Sequence, residues 1–382
     1  MRNPQLEVGR DNLAWWNRAE NRRHGFHSIH KLNRRGLGLR SGHVLPLRDR
    51  HHPAIAERSD VARLTALPSF SAMVVAQGRD VLFEAHAADC GPDTLHSMQS
   101  ITKTHLNLVF GRLIAAGRVD PGQMVETWIP EIGSGYRGVT LQRVLDMNVP
   151  LAFDEDYAAP WDPPPGPGER RGYGQEEVAM GWRLPPPGRE EFGVREFALT
   201  LEKDMDDAPG DRARYASPNT DLAGWVAERA SGSNLFELIS ANIEGAGLEG
   251  VFFVSLDCTF VPVLSGGGAM TARDMARYGL LFARKGTGVM GDSVGDAGFI
   301  EGTRTRKVAS FEGSWPGLSY SNHMFTDGTW IGHGGYAGQF LMIRPDKEAA
   351  AAWFSVIDSV YGDAEDHSAH VIAMLSDVLE NL

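Results

Sequence analysis

His96-Ser97-Met98-Gln99-Ser100-Ile101-Thr102-Lys103-Thr104 places a serine three residues ahead of a lysine, where a helix-like run from Ile101 to Ala116 begins. Apolar residues recur in that run at Leu106, Val109, Phe110, Leu113 and Ile114. Positions i and i+3 share a helix face, so the Lys103 ammonium is expected beside the Ser100 hydroxyl. A serine hydroxyl is a weak nucleophile until a neighbouring base or cation activates it. Helix N-terminal N–H groups also favour an oxyanion forming there. Taken alone, Ser-x-x-Lys describes an ordinary helix start with a surface lysine, because the pattern recurs by chance.

Outward from this stretch, the flanks read as hairpins. Ser71 to Gln77 is β-like, Gly78-Arg79-Asp80 turns, and Val81 to Ala85 returns. Near the other end, Gln339 to Arg344 and Ala349 to Val356 flank Pro345-Asp346-Lys347-Glu348. A lone hairpin is marginally stable, so the two are expected to pair in one sheet built from both chain ends. Between them the chain reads mainly as helices and loops. Val139 to Met147 has helical spacing with Thr140 as a cap. Pro218 to Asp221 opens a run to Glu228 that Gly232 stops, and Thr271 to Asp274 resembles a capping box before Met275, Tyr278, Leu281 and Phe282. Ala369 to Leu379 is a final helical run. The stretches 160–168 and 185–188, rich in proline and glycine, frame a surface loop, with Trp161, Tyr173 and Trp182 in or near it.

The expected fold class is α+β: an antiparallel sheet from both chain ends, flanked by helices, with an inserted mostly helical domain. The expected division is an N-terminal arm over 1–60, an α/β domain over 61–118 plus 287–382, and a mostly helical domain over 119–286. The arm is rich in Arg and His, at Arg18, Arg22, Arg23, His24, His27, His30, Arg34 and Arg35. Its histidine spacing repeats no metal pattern. An irregular arm on the acidic body is expected, anchored by Trp15, Trp16 and Phe26.

The 382 residues carry a net charge of −12, which argues against nucleic acid as the main partner. Cys90 and Cys258 are too few for a disulfide framework and suit a reducing compartment. The N-terminus shows no secretory signal and no stretch is long and apolar enough to span a bilayer, so a cytoplasmic protein without membrane contact is expected. No cofactor or metal is expected. The Gly266-Gly267-Gly268 run lacks the spacing and lysine of a phosphate-binding loop.

Three stretches in order carry chemistry: Ser100 to Lys103, Arg214 to Asp221, and Trp330 to Gln339, which leads into a strand. Together they suit acyl transfer. Ser100 attacks a carbonyl and Lys103 takes its proton or stabilises its alkoxide. Tyr215 relays a proton to the leaving group, which at neutral pH calls for Lys103 to lower its pKa from ~10. Gly334 and Gly335 leave room for substrate along the strand edge, and an N–H beyond them can join that of Ser100 as an oxyanion hole.

These residues resemble the serine β-lactamase/DD-peptidase superfamily, in its class C-like branch, and within that branch the nylon-oligomer hydrolases. The likeness is carried by Leu95 to Lys103, by Val144 to Met147 with Asp154 to Tyr157, by Tyr215 to Arg229, by Gly266 to Arg277 and by Gly338 to Leu341. It implies that Ser100 is the acylated nucleophile, Lys103 its partner and Tyr215 the general acid/base. It implies an oxyanion hole from the N–H groups of Ser100 and Tyr336, and a cover for bound substrate from Tyr157. Ser217 takes a position where β-lactamases often carry asparagine, and His333-Gly334-Gly335 matches the Lys-Thr-Gly element. Ser265 lacks the amide side chain of the nylon-enzyme pattern. Trp182, Ser217, Ser265, His333, Gly334 and Gly335 complete the expected substrate-binding set. The departures at Ser217 and His333 point away from a β-lactamase.

The leading expectation is a serine hydrolase acting on a short linear amide or ester, with a small-molecule substrate as partner; a homodimer is compatible with it. The alternatives are a transacylase, which hands the same acyl group to an amine or alcohol, and a non-catalytic binding protein on the same fold. Joint retention of Ser100, Lys103 and Tyr215 argues against the last.

Overall fold

The computed structural model describes residues 15–157, 170–207, 210, 212–306, 308, 310–311, 317–359, 362, 364 and 366–382. The stretch 160–168 with Trp161, expected as a loop, lies outside these residues.

Both hairpins form. Phe70–Gln77 pairs antiparallel with Asp80–His86, and Gln339–Arg344 pairs antiparallel with Ala349–Ser355. Ala349–Ser355 also pairs antiparallel with Phe70–Gln77, which joins the two ends of the chain. The sheet continues from Gln339–Arg344 through Ile331–Gly335, Met324–Thr326, Ser319–Ser321 and Ser310–Phe311. It has ten strands. The two short outer ones, Arg48–Asp49 and Arg212–Ala213, are parallel to their neighbours, so the expected antiparallel sheet is mixed at its margins.

The strand Ala349–Ser355 is buried along its whole length. Successive strand residues face opposite sides, so a fully buried strand must be covered on both. Ala350, Ala352 and Phe354 join one apolar core, whereas Ala349, Ala351 and Trp353 join a second with Val371 and Leu375 of the C-terminal helix His367–Glu380. The helix Ala272–Ala283 covers the first face. Its Gly279 lies so close to the sheet that an added Cβ would stand 2.7 Å from the Ala350 Cβ. The Thr271 side chain caps that helix as expected, accepting the Asp274 N–H.

Three local expectations change. The run from Val139 shortens to Leu141–Leu145, and Thr140 makes no capping bond through its side chain. The N-terminal arm is not irregular: Arg22–Leu32 is a helix whose Phe26, Ile29 and Leu32 are buried, and Gly36–Leu39 is a strand. That strand enters a second, four-stranded antiparallel sheet with Phe252–Ser255, Gly268–Met270 and His96–Ser97. Strands of two to four residues have too few alternating positions to stand out as a pattern. This small sheet delivers His96 and Ser97 straight into the turn that bears Ser100.

Among the described residues no helix is long and apolar enough to cross a membrane.

Candidate active site

Ser100 and Lys103 lie in a 3-10 helix, Gln99–Thr104, and the α-helix begins only at His105 and runs to Ala115. In a 3-10 helix residues i and i+3 eclipse, which aligns the pair more directly than the expected α-helix. The Lys103 Nζ is 3.0 Å from the Ser100 Oγ. It also donates to the Ser217 Oγ at 2.9 Å and to the Ser265 carbonyl. Three oxygens thus surround one nitrogen. They satisfy an ammonium as three acceptors, and a neutral amine as two acceptors and one hydroxyl donor. Lys103 is fully buried, and burial lowers its pKa, opposed by the charges of Glu155, Glu176 and Asp221. Gln99, next to the nucleophile, has a left-handed φ of 51°, a sparsely populated conformation typical of functional turns.

Across Ser100 lies Tyr215. Its ring stands against Tyr320, Phe311, Phe325 and His333, and Lys103 faces the ring with Nζ 5.0 Å from the centroid. Its hydroxyl is buried and takes part in no hydrogen bond of normal geometry, though the Ser100 side chain nearby biases it toward release of its proton. Burial dominates, with the fields of Tyr320 and Glu155 added, and pushes its pKa well above 10. The expected lowering by Lys103 is therefore reversed: the phenol is protonated at neutral pH, suited to give a proton rather than to take one.

Glu155 ties the site together. It accepts hydrogen bonds from the Ser217 N–H, the Ser217 hydroxyl and the Tyr157 hydroxyl, each at 2.6 Å. Ser217 therefore passes a hydrogen bond from Lys103 to Glu155. Tyr157 is half-buried, and its ring lies 4.9 Å from that of Tyr336 and 4.7 Å from that of Tyr173. The strand Ile331–Gly335 runs beside Met98 and Gln99, so closely that a Cβ on Gly335 would stand 2.5 Å from the Met98 carbonyl oxygen. This approach brings Gly334, Gly335 and Tyr336 alongside the Ser100 turn. The arm supports Tyr336, because the Arg22 guanidinium lies 5.1 Å from its ring while donating to the Ile357 and Ser359 carbonyls.

Several residues expected at the substrate face elsewhere. The His333 ring is buried, with Nε2 3.0 Å from the Tyr320 hydroxyl and Nδ1 2.6 Å from the Gly334 carbonyl. Burial drives its pKa well below 6.5, so it offers no cation where the Lys-Thr-Gly element carries one. Trp182 is buried against Trp16 and donates to the Ser255 hydroxyl at 3.1 Å. Ser217 and Ser265 are buried, and act on Lys103.

Glu155, Glu176 and Asp221 were not foreseen as site residues. Asp154 to Tyr157 reads in sequence as a covering motif, and Asp221 as the end of the Arg214 to Asp221 stretch and part of a helix start, with no role of its own. Glu176 sits in Tyr173–Ala179, whose seven residues are all buried although three are Gln or Glu. A polar run in a short helix carries no signal of burial. Beside Tyr215, a cleft of about 370 Å³ has Leu151 and Phe153 in its wall and Arg170, Arg212, Asp204 and Asp206 around it.

A serine with a buried lysine, facing a half-buried tyrosine whose hydroxyl is buried, between a sheet and helices, is the architecture of serine hydrolases of the β-lactamase type. Residues 58–373 match the Beta-lactamase family model, and the chain belongs to that family. It is 29% identical over 373 residues to the 6-aminohexanoate-dimer hydrolase of Paenarthrobacter ureafaciens, covering 91% of this chain and 88% of the relative. In fold it resembles a candidate 6-aminohexanoate-dimer hydrolase of Bacillus anthracis, with TM-score 0.79, 18% identity and coverage of 96% and 95%. It also resembles EstCE1, a hydrolase with promiscuous acyltransferase activity, with TM-score 0.62, 15% identity and coverage of 86% and 99%. The chain is therefore a serine hydrolase of that family, with which a small-molecule substrate is consistent.

Proposed function

We propose that this enzyme hydrolyses a short linear amide or ester through an acyl intermediate on Ser100. The observation that carries this reading is the 3.0 Å approach of the Ser100 Oγ to a fully buried lysine whose burial favours the neutral, basic form. Ser100 attacks the carbonyl carbon and its proton passes to Lys103. The N–H groups of Ser100 and Tyr336 receive the oxyanion. Tyr215 gives its proton to the departing amine or alkoxide, and the phenolate is stabilised by the Lys103 ammonium. Water then gives a proton to Tyr215 and attacks the ester. Ser100 leaves with the proton held by Lys103, which restores all three groups.

A linear amide is favoured over a β-lactam by the neutral, buried His333 and by the likeness to the Paenarthrobacter enzyme. The cleft beside Tyr215 carries charges of both signs, with Arg170 paired to Asp204 and Arg212 to Asp207. The test is intact-protein mass, with product release, after brief exposure to a p-nitrophenyl short-chain ester, the 6-aminohexanoate linear dimer and a cephalosporin. The expected result is an adduct or turnover with the ester and the dimer, absent in Ser100→Ala. Turnover by Ser100→Ala at the wild-type rate overturns the mechanism. Added amines report whether the acyl group goes to an acceptor other than water.

A further inference from the structure

Two carboxyl groups that the mechanism above does not use act on Lys103 through their fields, those of Asp221 and Glu176. Asp221 is buried in the first turn of the helix Pro218–Ser231, the helix that Ser217 precedes. Its Oδ1 accepts the Ser265 N–H at 3.3 Å, and the carbonyl of the same Ser265 accepts from the Lys103 Nζ. One residue is thus clamped by Asp221 at its N–H and by Lys103 at its carbonyl. Glu176 is fully buried in the helix Tyr173–Ala179, and neither of its carboxyl oxygens has a hydrogen-bond partner. The Tyr136 hydroxyl, within the field of both carboxyls, is likewise buried without a partner.

These surroundings differ in what charge they can hold. A carboxylate removed from water with no donor costs several kcal/mol more than the neutral acid. Glu176 has no donor, and Glu155, Glu177 and Asp221 add like charge around it, opposed only by Lys103. Burial accordingly pushes its pKa well above the usual carboxylate range. Asp221 has a donor in Ser265 and a cation in Lys103, with Asp257 as its like-charged neighbour. Asp257 is itself held by the N–H groups of Val194, Thr259 and Val261 and by the Thr259 hydroxyl. Burial raises the Asp221 pKa above the usual carboxylate range, opposed by its hydrogen bond with Ser265 and by the charge of Lys103. Lys103 faces Glu155, Glu176 and Asp221, and the fields of buried His323 and His333 meet it from the sheet side.

We propose that Asp221 is a positioning residue for the reaction: it holds the Ser265 N–H so that the carbonyl of the same residue meets Lys103, and it sets a carboxyl group against the ammonium, with Glu176 buried close by. The inference rests on the role of Lys103 as the base toward Ser100. The charges of Glu155 and Asp221 both favour the ammonium, so the acid limb of kcat/KM reports Lys103 together with the carboxyls around it.

The test compares the full-length wild type with Asp221→Asn and Glu176→Gln, using the p-nitrophenyl ester as probe. Asparagine keeps an acceptor for the Ser265 N–H but holds no charge. Removing that charge destabilises the ammonium, so in Asp221→Asn the acid limb moves to lower pH by about one unit, a tenfold change in the protonation ratio. KM stays within about twofold. Glu176→Gln, which mimics the neutral acid, leaves the limb within about 0.3 units of the wild type. A folded Asp221→Asn whose limb coincides with the wild type overturns the proposal, as does a Glu176→Gln limb that moves as far.

Carbonyl-stretch infrared difference spectra of the wild type against Asp221→Asn and Glu176→Gln read the same carboxyls without turnover. Glu176→Gln should remove a protonated-acid band and Asp221→Asn should remove a carboxyl ionisation; spectra in which neither variant removes a band overturn the proposal. That readout separates the outcomes: if no donor acylates Ser100, the reading of the function fails while the carboxyl pair is still tested.

Discussion

Two buried groups flank Ser100, and they are held in opposite ways. Lys103 is enclosed by three oxygens, from Ser100, Ser217 and Ser265. The Tyr215 hydroxyl has no partner of normal geometry, and its ring is fixed by packing on Tyr320, Phe311 and Phe325. Burial acts on both in the same sense, against charge, so it lowers the lysine and raises the tyrosine. The outcome is a base on one side of the nucleophile and an acid on the other. The lysine shell can serve either charge state without rearranging, whereas the tyrosine keeps its hydrogen-bonding capacity for an incoming substrate.

The sharpest way to break this contrast is to remove the atom between the two groups. Ser100→Ala should reduce turnover of an ester probe by at least about 10³-fold, read by product release with intact mass as control. Tyr215→Phe comes next: kcat should fall by about 10² to 10³-fold with KM changed less than about threefold. An effect confined to KM removes the acid role. In the wild type, kcat/KM should rise with pH as Lys103 loses its proton, and Tyr215 should impose no alkaline fall below about pH 10. A fall near neutrality would mean that Tyr215 works as a phenolate.

Gly335→Ala tests the close approach that sets the strand beside the nucleophile. A Cβ 2.5 Å from the Met98 carbonyl oxygen forces strand and turn apart, so the melting temperature should drop along with activity, by about 1–3 kcal/mol of stability. The smallest effect is expected at His333. His333→Asn should change KM for a charged linear amide by less than about threefold, because the ring is buried against Tyr320 and Gly334. A large rise in KM would restore the direct substrate contact that the Lys-Thr-Gly likeness implied.

Periodicity carried the reading of the fold where elements are long or strongly patterned. The two hairpins, the helix Ala272–Ala283 and the C-terminal helix were legible from their own residues. The four-stranded sheet was not, because its longest strands have four residues and its partners are far apart in sequence. The arm was misread for a related reason. Its dense Arg and His content suggested an irregular arm resting on the acidic body, whereas it folds into a helix and a strand and Arg22 is buried with bonds to Ile357 and Ser359, which no local pattern announces.

By itself the sequence determined the family and the spacing of Ser100 and Lys103, and it singled out Tyr215 and the Gly334-Gly335 edge. These are short-range facts: a three-residue spacing on a helical turn, or a glycine pair entering a strand, is written in neighbouring residues. Only the tertiary structure decided which groups are charged. It brought Glu155, Glu176, Asp221 and Ser265 around Lys103 from separate segments, turned His333 and Trp182 inward, and left Tyr215 protonated. Desolvation and Coulomb interaction depend on distance and burial in space, and those exist only once the chain has folded.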